Sequence, residues 1–146
     1  MSRPMSRLVM ALPLAASCVL AAPAFAKVIP FHATMTAANE VPPHDVAGKG
    51  VLHAHLNTIS HKLTWVMRYH GLTGPATMAH FHGPADAGVN APIAVPMTGD
   101  LKSPYHGTVV LTDEQQQQLL DGKWYANIHT AANPGGEIRG QVEEGK

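Results

Sequence analysis

The chain has 146 residues, with 10 Lys+Arg balanced by 10 Asp+Glu and 45% hydrophobic residues, which suits one small domain. A net charge of zero gives no basic stripe to neutralise phosphates, so the composition argues against nucleic-acid binding. Histidine is the unusual count: ten, as many as Lys and Arg together, and imidazole is the side chain most used to hold metal ions.

Residues 1–26 read as a secretory signal peptide. Arg3 and Arg7 give a basic start, Leu8 to Ala22 an apolar run, and Ala24-Phe25-Ala26 a small-x-small cleavage site. Pro13, Ser17 and Pro23 interrupt the run short of a spanning length, which disfavours a retained anchor. A lipoprotein acylated on Cys18 is disfavoured too, because Ala15 stands where Leu is expected. Cleavage after Ala26 would put residues 27–146 in the periplasm or outside the cell, free of the membrane. It would also remove the only Cys, leaving no disulfide, iron–sulfur cluster or thiolate copper site. All ten His would remain.

Residues 27–146 read as one domain of short strands. Phe31, Ala33 and Met35 alternate with His32, Thr34 and Thr36, the period of a strand with one buried face. Gly48 to Asn57 and Leu63 to His70 form a hairpin about the turn Asn57 to Lys62. Thr77 to His82 is a fourth strand between Gly74-Pro75 and Gly83-Pro84, and Ile93 to Met97 and Thr108 to Leu111 supply two more. Thr112 opens a short helix that ends near Gly122, with Gln115 completing a capping box. Trp124 to Thr130 and Glu137 to Val142 close the pattern, and Glu143-Glu144 read as a fraying, solubilising tail. About eight regularly spaced short strands with one short helix predict an all-β sandwich or barrel.

The strand period then aims the histidines. Residues i and i+2 share a face with Cα atoms roughly 6.5–7 Å apart, so His80 and His82 can lean onto one ion. Ala79 and Phe81 take the core face. By the same alternation Trp124, Ala126 and Ile128 point inward, and Tyr125, Asn127 and His129 outward. His80, His82 and His129 are therefore expected on the outer surface, covered by loops. Met78 shares the stripe of His80 and His82, and a thioether beside imidazoles would favour a soft ion such as Cu(I). His53 and His55 form a second, weaker pair, which His32 could reach if the first two strands are neighbours. Solvated polar residues are the simpler account of any single HxH pair. His44, His61, His70 and His106 fall in turns or at strand ends, where exposure is the default.

The stretches Glu40-Val41-Pro42-Pro43, Gly71-Leu72-Thr73-Gly74-Pro75-Ala76 and Ala79-His80-Phe81-His82-Gly83-Pro84 resemble the CHRD (chordin) domain family. So does Asn127-Ile128-His129-Thr130-Ala131-Ala132-Asn133-Pro134-Gly135-Gly136-Glu137-Ile138-Arg139-Gly140, and the likeness spans about Val28 to Val142. It implies a Greek-key, immunoglobulin-like β-sandwich or barrel in an exported protein, but no single activity. A fainter likeness is to copper–zinc superoxide dismutase, whose copper-ligand positions would fall on His80, His82 and His129. The zinc loop and the disulfide cysteines of that family have no counterpart. Glu137 stands roughly where that family has an anion-attracting Arg, although Arg139 is close by, and an acid at the mouth would repel superoxide.

Three functions follow. The first is an exported metal-binding protein, for copper before zinc, with His80, His82 and His129 as ligands and Met78 or a water as a fourth. The second is a structural or interaction module with a protein partner in the envelope and no metal. The third is a copper-only dismutase-like oxidoreductase. Nucleophilic hydrolysis lacks both a Gly-flanked Ser and a retained Cys. No phosphate- or dinucleotide-binding glycine pattern is present.

Overall fold

A computed structural model describes residues 27–145. The leader assigned to residues 1–26 lies outside the described residues. The strands are β1 (Val28–Thr36), β2 (Lys49–Asn57), β3 (Lys62–His70), β4 (Ala76–His82), β5 (Ile93–Met97), β6 (Tyr105–Val110), β7 (Tyr125–Thr130), β8 (Ile138–Gln141) and the two-residue β9 (Glu143–Glu144). A 3-10 turn covers Ala37–Asn39, and helix α1 covers Asp113–Leu120.

The eight main strands follow the order β5-β4-β7-β8-β1-β2-β3-β6, all antiparallel, in a nearly closed barrel. Between the sandwich and barrel expected from sequence, the structure is thus the barrel. Its edges are β5 and β6. Near α1, the Gln115 amide donates to Ala94 O on β5 and the Gln116 amide to Thr58 O in the β2–β3 turn. The helix therefore spans from an edge strand to the hairpin. Its capping box forms as expected: Gln115 N donates to Thr112 Oγ1 and Thr112 N to Gln115 Oε1.

Alternation drives the closure. Ile29, Phe31, Ala33 and Met35 of β1, Leu52, Ala54 and Leu56 of β2, and Leu63, Trp65 and Met67 of β3 all point into the barrel. Each large side chain buried this way contributes about 1.5–3 kcal/mol. Trp65, Phe81 and Trp124 meet in the interior, with ring centroids 5.1 and 5.6 Å apart. Phe81 is the residue between His80 and His82, so the same strand that anchors the core presents the two histidines outward.

Three local readings are corrected. β6 starts at Tyr105, earlier than expected, because Tyr105 is buried and its hydroxyl donates to Thr98 O at 2.9 Å. β1 starts at Val28 because its pairing with β2 runs the full length from Val28–Asn57 to Thr36–Lys49. Glu143 and Glu144 do not fray. They pair with His32 and Phe31 of β1, although both carboxylates stay exposed.

Candidate metal centre

β4 and β7 are neighbours, and their register decides which side chains meet. His82 lies opposite Tyr125, His80 opposite Asn127, and Met78 opposite His129, with an irregularity between Ala76 and Met78. The side chains of His80, His82, Asn127 and His129 therefore converge on the outer face of the barrel. One nitrogen from each of His80, His82 and His129 falls within 4.8 Å of the other two. Among the described residues this is the one such cluster of three or more His, Cys, Asp or Glu.

The outer face is not solvated here. His80 and His129 are 8% and 6% exposed, Tyr125 and Asn127 are buried, and only the rim of His82 reaches solvent. Two loops account for this. The segment 83–92 lays Ala91 O against His82 Nδ1 at 2.9 Å, and the turn 131–137 lays Pro134 O against His129 Nδ1 at 2.9 Å. β7 is consequently buried on both faces.

A carbonyl oxygen can only accept, so both contacts require the proton on Nδ1. That leaves Nε2 of His82 and His129 without a proton, and both are aimed at the same point. Each lies 3.1 Å from Asn127 Oδ1. His80 Nδ1 lies 3.2 Å from His129 Nε2, and with His129 protonated on Nδ1 the His80 N–H is the donor. Acceptors thus crowd one spot with a single shared hydrogen among them. Turning the Asn127 amide over would offer N–H groups instead, which relieves the metal-free protein. A cation relieves it outright. Fixing the far nitrogen of an imidazole on a backbone carbonyl is also how metal-binding histidines are ordinarily oriented.

Electrostatics favour the neutral forms of His80 and His129. Burial pushes the His80 pKa down to about 4, and the adjacent His129 and His82 push the same way. Burial lowers His129 as well, partly offset by its bond to Pro134 and reinforced by His82. The rings are held closely: His82 stacks on Tyr125 at 4.8 Å with the planes 3° apart, and the Arg139 guanidinium carbon lies 3.4 Å from the Tyr125 centroid.

Glu137 is not at a mouth. It is fully buried, accepts from Thr73 N at 2.7 Å and Asn133 Nδ2 at 2.9 Å, and receives the hydroxyls of Thr73 and Thr130. Burial alone would raise its pKa, but the bonds from Thr130, Thr73 and Asn133 outweigh it and hold the carboxyl below its ordinary value. Its charge is spent internally, tying the Gly71–Pro75 loop to the turn that carries Pro134.

The other sequence candidates lie outside the three-histidine group. Met78 is 45% exposed at the edge of the cluster. His53 faces His32 across β1 and β2, as anticipated, but His53 and His55 are exposed and join no three-residue ligand group. His70 and His106 are exposed, and His44 and His61 half-buried. Sequence reasoning gave Asn127, Tyr125 and the carbonyls of Ala91 and Pro134 no role. Only Asn127 and Tyr125 left a trace, as fellow members of the outward stripe of His129.

Residues 31–142 match the family model of the CHRD domain. The chain belongs to the CHRD domain family. No curated protein and no solved structure matches the chain significantly. In this CHRD domain the matched segment contains every residue of the cluster, together with the loops that cover it. The three histidines could hold a metal ion.

Proposed function

We propose that this CHRD domain is an exported copper-binding protein that takes part in copper handling in the cell envelope. Leader removal after Ala26 would deliver residues 27–146 to the periplasm or the exterior. His80, His82 and His129 supply imidazole nitrogens, and Met78 or a water completes the set. The observation that carries the reading is the pair of backbone carbonyls, Ala91 O and Pro134 O, that turn two Nε2 lone pairs toward one point. Copper is preferred over zinc because Met78 sits opposite His129 in the β4–β7 register and offers a soft thioether.

A competition titration of residues 27–146 with Cu(I), Cu(II) and Zn(II), beside His80→Ala, His129→Ala and the double variant, tests this. One tight equivalent of copper is expected, lost in all three variants, with zinc weaker. Tighter zinc would reassign the ion. Weak binding of several equivalents that survives the double change would leave scattered surface histidines and remove the proposal.

A further inference from the structure

A cavity of about 550 Å³ lies apart from the histidine cluster. It opens on the same outer face, beside β8 and β1, and is lined by Arg139, Glu40, His32, Thr34, Gln141 and Glu143. Two of these are buried ionisable groups, Arg139 at 2% and Glu40 at 5% exposure.

Neither is satisfied by the other. None of the ion pairs among the described residues involves Arg139 or Glu40, so no carboxylate is within 4.0 Å of the Arg139 nitrogens. The guanidinium is held from one side: one terminal nitrogen donates to Asn90 Oδ1 at 2.9 Å, the other to Val89 O at 2.6 Å, and its face rests on Tyr125. Those partners are neutral and use two of its five N–H groups. Glu40 Oε1 is buried without any hydrogen-bond partner. Its carboxyl packs against Gly136, where a Cβ would come within 2.6 Å of Oε1. Burial lifts its pKa to about 7 in spite of the pull of Arg139 and the bond from Val41 N. A buried cation with free donors and a buried carboxyl thus line one cavity, and the carboxyl can donate when protonated.

We propose that this cleft binds a small organic carboxylate, which accepts from the free N–H groups of Arg139 beside the Glu40 carboxyl. The anion would supply the counter-charge that the fold withholds from Arg139, a planar bidentate match that guanidinium makes better than any other side chain. His32 and Glu143, the remaining titratable groups of the lining, lie 3.9 Å apart and face each other. The inference does not depend on the metal reading. The cleft meets the histidine cluster through the stack of Arg139, Tyr125 and His82 and through the 83–92 segment, whose Val89 and Asn90 hold Arg139 and whose Ala91 holds His82.

The test is a calorimetric titration of metal-free residues 27–146 with malonate and, separately, with inorganic phosphate. Saturable binding of one malonate per chain is expected, weakened at least tenfold in Arg139→Lys and retained in Glu40→Gln, whose amide keeps a donor. Because a buried Arg→Lys change can unsettle the fold, the wild-type Arg139 Nε resonance is followed by NMR in parallel, and malonate should move it to saturation. Absence of saturable malonate binding, or binding that leaves the Arg139 resonance still, overturns the proposal. Saturation by phosphate in place of malonate overturns the carboxylate assignment.

Discussion

A histidine holds a metal only when its lone pair is both free and aimed, and in this protein its neighbours settle both. Burial keeps His80 and His129 neutral, while the carbonyls of Ala91 and Pro134 fix which nitrogen of His82 and His129 points inward. Protons should therefore compete with metal at His80 only as pH approaches its lowered value of about 4. Metal affinity measured from pH 7.5 to 5 should fall later than for an exposed histidine, whose affinity drops from its ordinary value near 6.5. The same shift acts on folding. The unfolded chain takes up a proton at His80 near 6.5 and the folded one near 4, so metal-free stability is full above 6.5 and is lost as pH falls through that window. Glu40 has the opposite sign. Its folded value of about 7 lies above the ordinary 4.5, so its contribution is full below 4.5 and is lost as pH rises toward 7. Urea unfolding of metal-free Glu40→Gln from pH 4.5 to 7.5 should therefore show stability rising more steeply with pH than in wild type. An unchanged slope would contradict the Glu40 assignment.

At the scale of elements, two strands and two covering loops make the cluster, and the loops are the part a sequence conceals. Period-2 alternation made the strands legible, and with them the outward aim of His80, His82 and His129. The order of strands around the barrel was not legible, because pairing of β4 with β7 joins residues about fifty positions apart. Asn127 escaped notice for the same reason: its role exists only once His80 stands opposite it. Glu137 read as an acid at the mouth of the site because its four donors come from Thr73, Thr130 and Asn133, the first of them 64 residues away. Replacing it by Gln should cost about 1–3 kcal/mol of stability by unmaking charge-assisted bonds to a buried group. Since the turn it holds carries Pro134, metal affinity should fall about 10-fold with it, as for other changes behind a ligand. Chemical unfolding and a metal competition assay check the two effects. Gly83 starts the loop that carries Ala91, and a Cβ there would run into the Trp124 indole and Lys123 O. Gly83→Ala should cost about 1–3 kcal/mol by overpacking and should weaken metal binding, whereas Gly88→Ala, with open space around it but a positive φ, should act on stability alone.

For the whole molecule, the barrel interior and the outer-face cluster do separate work. The core of Phe31, Trp65, Phe81 and Trp124 holds the strands without help from a metal, so the metal-free domain should fold. Metal should add to its stability by mass action: about 2.7 kcal/mol at a free concentration 100-fold above Kd, a rise of roughly 10 °C in Tm for a domain of this size. Thermal unfolding with and without copper reads this, and the double variant His80→Ala/His129→Ala should show no rise. The central claim is that the cluster is prepared for a cation before one arrives, by two imidazoles held in the Nδ1–H form. Long-range ¹H–¹⁵N NMR of the metal-free protein measures this directly, since it distinguishes the two ring tautomers. His82 and His129 should both carry the proton on Nδ1 with a bare Nε2, unlike the exposed His53 and His55. Finding the proton on Nε2 in both His82 and His129 would contradict the claim.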